Sequence, residues 1–186
     1  MKPQFFKTQK DFRDWLTKNH DKETEIWVGM WKKASGKTGL NYDQALEEAL
    51  CFGWIDGLVN KYNEESYMQR FTPRRAKSIW SKVNVGHIER LTKEGKMMPS
   101  GIAAVEAAKK DGRWDAAYDS PKDAKPPKEF FELLSKNKKA EEFYKTLNRT
   151  NINAISFRIQ TAKKEETKAR RMKMIVEMLE RGEKLY

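Results

Sequence analysis

A chain of 186 residues with a formal charge of +11, 38% hydrophobic and 35% charged residues is long enough for a sizeable core and too aromatic for disorder. Cys51 is the only cysteine, so no internal disulfide forms, and the two histidines, His20 and His87, lack the paired spacing of a metal site. The longest apolar run, 49–55, contains Gly53 and falls far short of the roughly 20 residues of a membrane span. The N-terminal stretch has no apolar signal region, so the expected location is the cytoplasm.

Taken in chain order, Thr8 caps a first helix to about Asn19, with Phe12, Trp15 and Leu16 on one face. Residues 23–33 read as a strand in which Ile26, Val28 and Met30 alternate with other residues. After a small-residue loop, Asn41 and Gln44 form a capping-box pattern and open a second helix, which Gly53 ends in a left-handed conformation. Two strands follow, 54–62 and 66–72, joined by a turn at Asn63-Glu64-Glu65. Ser78 or Ser81 is expected to cap a short helical segment. Further helices run from Asn84 to Glu94 and from Pro99 to about Gly112. Residues 113–127, with Pro121, Pro126 and Pro127, read as a linker. Beyond it lie four apolar helical faces: Phe130 with Leu134, Phe143 with Leu147, Ile152 with Ile155 and Ile159, and Met172 with Ile175, Val176 and Leu179. The expected fold is α+β, a small antiparallel sheet packed by helices over residues 1–120, followed by an all-helical domain over 121–186.

Several chemistries are excluded. Gly36-Lys37-Thr38 has the tail of a phosphate-binding loop, but Trp31 stands where the motif needs its first glycine. No serine sits in a nucleophile elbow. The densest chemistry lies between Cys51 and Asn84. Asp56 is a carboxylate in an otherwise apolar strand, costly unless paired. Arg70, Arg74 and Arg75 flank a tight turn and present planar forks suited to carboxylate or phosphate. Trp54, Ser78, Trp80 and Asn84 complete the candidate ligand site. Two readings stay open: Asp56 pairs with Arg70 as a structural ion pair, or the group is an anion site. Cys51, beside Phe52 at a helix end, reads as packing.

Leu40-Asn41-Tyr42-Asp43-Gln44-Ala45, leading into Glu48-Ala49-Leu50-Cys51-Phe52-Gly53-Trp54-Ile55-Asp56-Gly57, resembles the N-terminal signature of the bacterial YdeI/OmpD-associated proteins. Arg70-Phe71-Thr72-Pro73-Arg74-Arg75 with Ser78, Trp80, Ser81 and Asn84 is similar to a second block, and Gly95-Lys96-Met97-Met98-Pro99-Ser100-Gly101 to a third. Ile159, Ala162-Lys163, Glu166-Thr167 and Arg171 resemble the C-terminal block, with Lys168 where the family more often has arginine. The resemblance implies a role in bacteriocin protection and brings no catalytic residue or cofactor.

The expected function is therefore binding of a small anionic ligand, linked to bacteriocin or envelope-stress protection, with no cofactor and no metal. A second expectation is nucleic-acid binding through Lys163, Lys164, Lys168, Arg170, Arg171 and Lys173. A third is an enzyme with Asp56 as general acid or base.

Overall fold

The computed structural model describes residues 2–186. The chain divides into two compact units: residues 1–78 with 84–115, and residues 79–83 with 116–186.

The first unit is built on a four-stranded sheet of order β1-β2-β4-β3, with β1 Gln4–Phe5, β2 Ile26–Trp31, β3 Trp54–Lys61 and β4 Ser66–Pro73. The three long strands are antiparallel, as expected. The two-residue β1 adds a parallel edge that no periodicity announces. Helix α1, Gln9–Asn19, starts at a complete capping box: Asp11 N–H donates to Thr8 Oγ1 at 3.1 Å, and Thr8 N–H to Asp11 at 2.9 Å. Helix α2, Tyr42–Cys51, starts in the same way on Asn41 and Gln44. Phe12, Leu16, Val28, Met30, Leu50, Trp54 and Phe71 are buried and form the core. Glu48 is buried among them, and Arg13 answers its charge at 2.7 Å with help from Gln9 at 2.8 Å.

Helix α3 spans Lys82–Lys93 and α4 spans Pro99–Lys110. Two glycines let α4 close on the end of α2. Gly53 has φ +76°, and a Cβ there would sit 3.0 Å from Ser100 O. A Cβ on Gly101 would lie 2.1 Å from Cys51 O. Met98 N–H donates to Cys51 O at 3.0 Å, and Ser100 Oγ to Phe52 O at 3.0 Å. The first and third sequence blocks are thus in contact, which explains why small residues stand in both.

The second unit is helical: α5 Lys128–Leu134, α6 Lys138–Lys145, α7 Arg149–Gln160 and α8 Glu165–Glu180. The four apolar faces read from the sequence meet in one core of Phe130, Leu134, Leu147, Ile155, Ile159, Met172, Ile175, Val176 and Leu179. Asn137 caps α6 and Asn148 caps α7. Among the described residues no helix is long and apolar enough to cross a membrane. Of the two starts expected for a short helix, Ser78 is excluded, since its N–H closes a turn on Arg75 O at 2.9 Å, whereas α3 begins at Lys82 directly after Ser81 and runs on without a break through the helix expected from Asn84.

Candidate functional site

The residues singled out between Cys51 and Asn84 go to several places. Trp54 is a core residue, 1% exposed; its ring meets Trp15 edge-on and its Nε1 donates to His20 O at 3.1 Å. Asp56 is half-buried and accepts from Tyr42 Oη at 2.9 Å. Burial and then the Asp56 charge push the Tyr42 phenol above its usual range, so this pair is a neutral phenol donating to a carboxylate. Arg70 does not pair with Asp56. Asp56 stands opposite Phe71 in the ladder, so strand alternation sends Arg70 to the other face of the sheet. There its guanidinium holds Glu25 at 2.6 Å. Between Asp56 and Val59 the ladder slips, and the buried Gln69 amide donates to Gly57 O at 3.1 Å to cover the irregularity.

Arg74 continues the ladder, its N–H on Gly53 O at 2.9 Å, and its Nη1 reaches Ser78 Oγ at 3.3 Å. Arg75 is exposed. Arg113, which sequence reasoning passed over, donates to Ser78 O at 2.9 Å while gripping Asp111 at 2.7 Å. The structure therefore joins Arg74, Ser78 and Arg113 in one group around a turn. Asn84 is the third residue of α3 and half-buried. Trp80 belongs to the second unit, 2% exposed, in a segment laddered to Tyr118: Tyr118 N–H donates to Trp80 O at 3.0 Å and Lys82 N–H to Tyr118 O at 2.9 Å. Among the described residues no group of three His, Cys, Asp or Glu side chains is placed to hold a metal. The Cys51 thiol is pushed up to about 11, first by burial and then by the Glu48 charge, which makes it an inert packed group.

A second set of residues meets in the C-terminal unit. A cavity of about 500 Å³ lies along α7, within the range of small-molecule sites. Helix α7 turns Ile155 and Ile159 to the core and presents Asn153, Ala154, Phe157, Arg158 and Thr161 to this cavity. The opposite wall is the segment Tyr118–Ala124, with Leu185 and Tyr186. That wall is the stretch read as a linker, and from 116 onward it belongs to the folded second unit. Two α7 side chains fix it. Gln160 receives Asp119 N–H at 3.1 Å and donates to Asp119 Oδ2 at 2.7 Å; Arg149 donates to Pro121 O at 3.0 Å and to Lys122 O. Ala124 is 4% exposed as a result. Lys82 salt-bridges Asp119 at 2.6 Å, and this bond, with that of Gln160, holds the carboxyl below its ordinary range.

Two guanidinium groups line the cavity without an ion-pair partner among the described residues, and the lining carboxylate Asp119 is taken by Lys82. Arg171, on α8, is anchored through Nη1 to Arg158 O at 2.6 Å and Thr161 Oγ1 at 3.4 Å. The Arg158 side chain makes no hydrogen bond or ion pair among the described residues. Tyr118 and Phe157 meet edge to face at 5.0 Å and give the cavity an aromatic wall. A sign of this face was present in the sequence, where Asn153 with Phe157 and Ala154 with Arg158 are spaced i, i+4 beside the isoleucine stripe. Of the other basic residues of the region, Lys168 lies 3.9 Å from Glu129 and 3.8 Å from Glu165, and Lys173 lies 3.9 Å from Glu177, while Lys163, Lys164 and Arg170 make no ion pair among the described residues.

No curated protein and no solved structure gives a significant match to the chain. Family comparison does: the chain belongs to the family described as a domain of unknown function (DUF8412), matched over residues 4–104, and carries over residues 123–182 the region described as bacteriocin-protection, YdeI or OmpD-associated.

Proposed function

We propose that this chain is a cytoplasmic binding protein whose YdeI/OmpD-associated unit captures a small anionic ligand, and that this capture underlies a role in bacteriocin protection. One observation carries the reading: two guanidinium groups, Arg158 and Arg171, face a cavity of about 500 Å³ with no ion pair of their own among the described residues, while the Asp119 carboxylate in the same lining is taken by Lys82. Arginine forks bind carboxylate and phosphate in two-pronged fashion, and a partly enclosed setting strengthens that attraction. Pre-fixing of the wall by Gln160 and Arg149 lowers the ordering cost of binding. The family description supplies the bacteriocin-protection element, and the single buried cysteine suits a reducing compartment.

Isothermal titration with a set of small carboxylates and phosphates tests the binding. Saturable heat from at least one member, with affinity about tenfold weaker in Arg171→Gln, is the expected result; no heat from any member refutes the reading. Cell fractionation tests the location, with recovery in the cytosol expected and recovery in the periplasm against it. Nucleic acid is the less favoured partner, because two of the α8 cations that would meet its phosphates, Lys168 and Lys173, have glutamate neighbours.

A further inference from the structure

Resting on that reading, we infer the chemical class of the ligand: a monocarboxylate with an apolar, preferably aromatic, body, its carboxylate between Arg158 and Arg171 and its body against Tyr118 and Phe157.

The charge around the cavity sets the ligand's charge. Arg158 and Arg171 contribute two positive charges. The Asp119 carboxylate is answered by Lys82 at 2.6 Å and adds little net field. Arg158, Gln160 and Thr161 lie at the C-terminal end of α7, where the helix dipole places roughly half a negative charge. The sum favours one negative charge on the ligand over two. The donors point the same way. No lysine is among the lining residues, and α7 begins at Arg149, outside the lining set, so no helix N-terminus offers backbone N–H groups to a phosphate.

The walls set the ligand's body. Tyr118 and Phe157 present an edge-to-face aromatic pair, and Ala154 adds a small apolar surface to the same lining. A fully hydrated inorganic anion would leave these surfaces uncovered, whereas an aromatic acid buries them.

The test titrates the full chain with phenylacetate, inorganic phosphate and phenethyl alcohol, following backbone amides and arginine Nε–H signals by NMR. Phenylacetate is expected to saturate and to move the signals of Tyr118, Phe157 and Arg171, while the other two, at equal concentration, leave them in place. Arg158→Gln, at an exposed side chain with no protein partner among the described residues, is expected to keep the fold and weaken phenylacetate by about tenfold. Saturation by phosphate without phenylacetate overturns the ligand class and leaves the anion pocket standing. Equal binding of phenethyl alcohol overturns the role of the carboxylate. Binding of none of the three overturns the ligand class, and the anion titration above then decides whether the pocket reading falls with it.

Discussion

The two units use their arginines differently. In the first, Arg13 holds Glu48, Arg70 holds Glu25, Arg90 holds Glu47 and Glu94, and Arg113 holds Asp111. In the second, Arg181 holds Glu183 near the C-terminal end, but Arg149 and Arg171 are anchored on backbone carbonyls, and Arg158 lines a cavity without a partner among the described residues. A guanidinium paired with a carboxylate has its charge answered inside the protein. One anchored on a carbonyl is held in place and keeps its full formal charge. The first arrangement holds a fold together; the second leaves a fixed charge facing the cavity. Density of arginine in the sequence does not separate the two cases, whereas the acceptor each one meets does.

Substitutions can break or sharpen this contrast. The largest effect is expected in the first unit's core. Trp54→Ala removes a buried ring and orphans His20 O, and is expected to cost about 3–5 kcal/mol in urea denaturation. A loss under about 1 kcal/mol would mean that Trp54 does not anchor the sheet. Next, Arg13→Ala leaves the Glu48 carboxylate buried and is expected to cost about 3 kcal/mol. If Arg13→Ala were neutral, the claim that this unit's arginines are structural would fail at its best-buried example.

The third test sets one unit against the other. Arg113→Gln should loosen the turn at Ser78, cost about 1–2 kcal/mol, and leave anion binding unchanged. Arg171→Gln should reverse the pattern, with a small stability change and anion binding weakened about tenfold. Cys51, its thiol pushed up to about 11, should stay unreactive toward a disulfide reagent at neutral pH until the chain unfolds. Rapid labelling of the native protein would show that the junction of α2 and α4 opens. The smallest effect belongs to Asp119. Its carboxyl is held below the ordinary aspartate range by the Lys82 and Gln160 bonds, so its contribution to stability is present above that range and lost as pH falls through and below it. At this partly solvated site it is worth less than about 1 kcal/mol, and Lys82→Ala should flatten the acid-side slope.

Much of the fold was legible because its signals are local. Thr8 and Asn41 announce their helices through side chains three residues from their partners, and Gly53 ends α2 where the sequence places it. The hairpin of β3 and β4 follows from two strand-like runs around Asn63-Glu64-Glu65. What was not legible depends on distant contacts. Gln4 and Phe5 form a strand only because β2 lies beside them. Asp56 and Arg70 looked like partners, but the pairing of Asp56 with Phe71, a matter of register, sends them to opposite faces. The cavity wall at 118–124 carries prolines and charges, the composition of a linker, and its order comes from Arg149 and Gln160 well along the chain.

On the proposed mode of binding, Arg158 and Arg171 of the second unit, and not the paired arginines of the first, meet the ligand. Following the arginine Nε–H signals in a single anion titration tests it most directly. Saturable shifts are expected at Arg158 and Arg171, with Arg70 and Arg113 unmoved. Shifts at Arg70 or Arg113 while Arg158 and Arg171 stay fixed would contradict it.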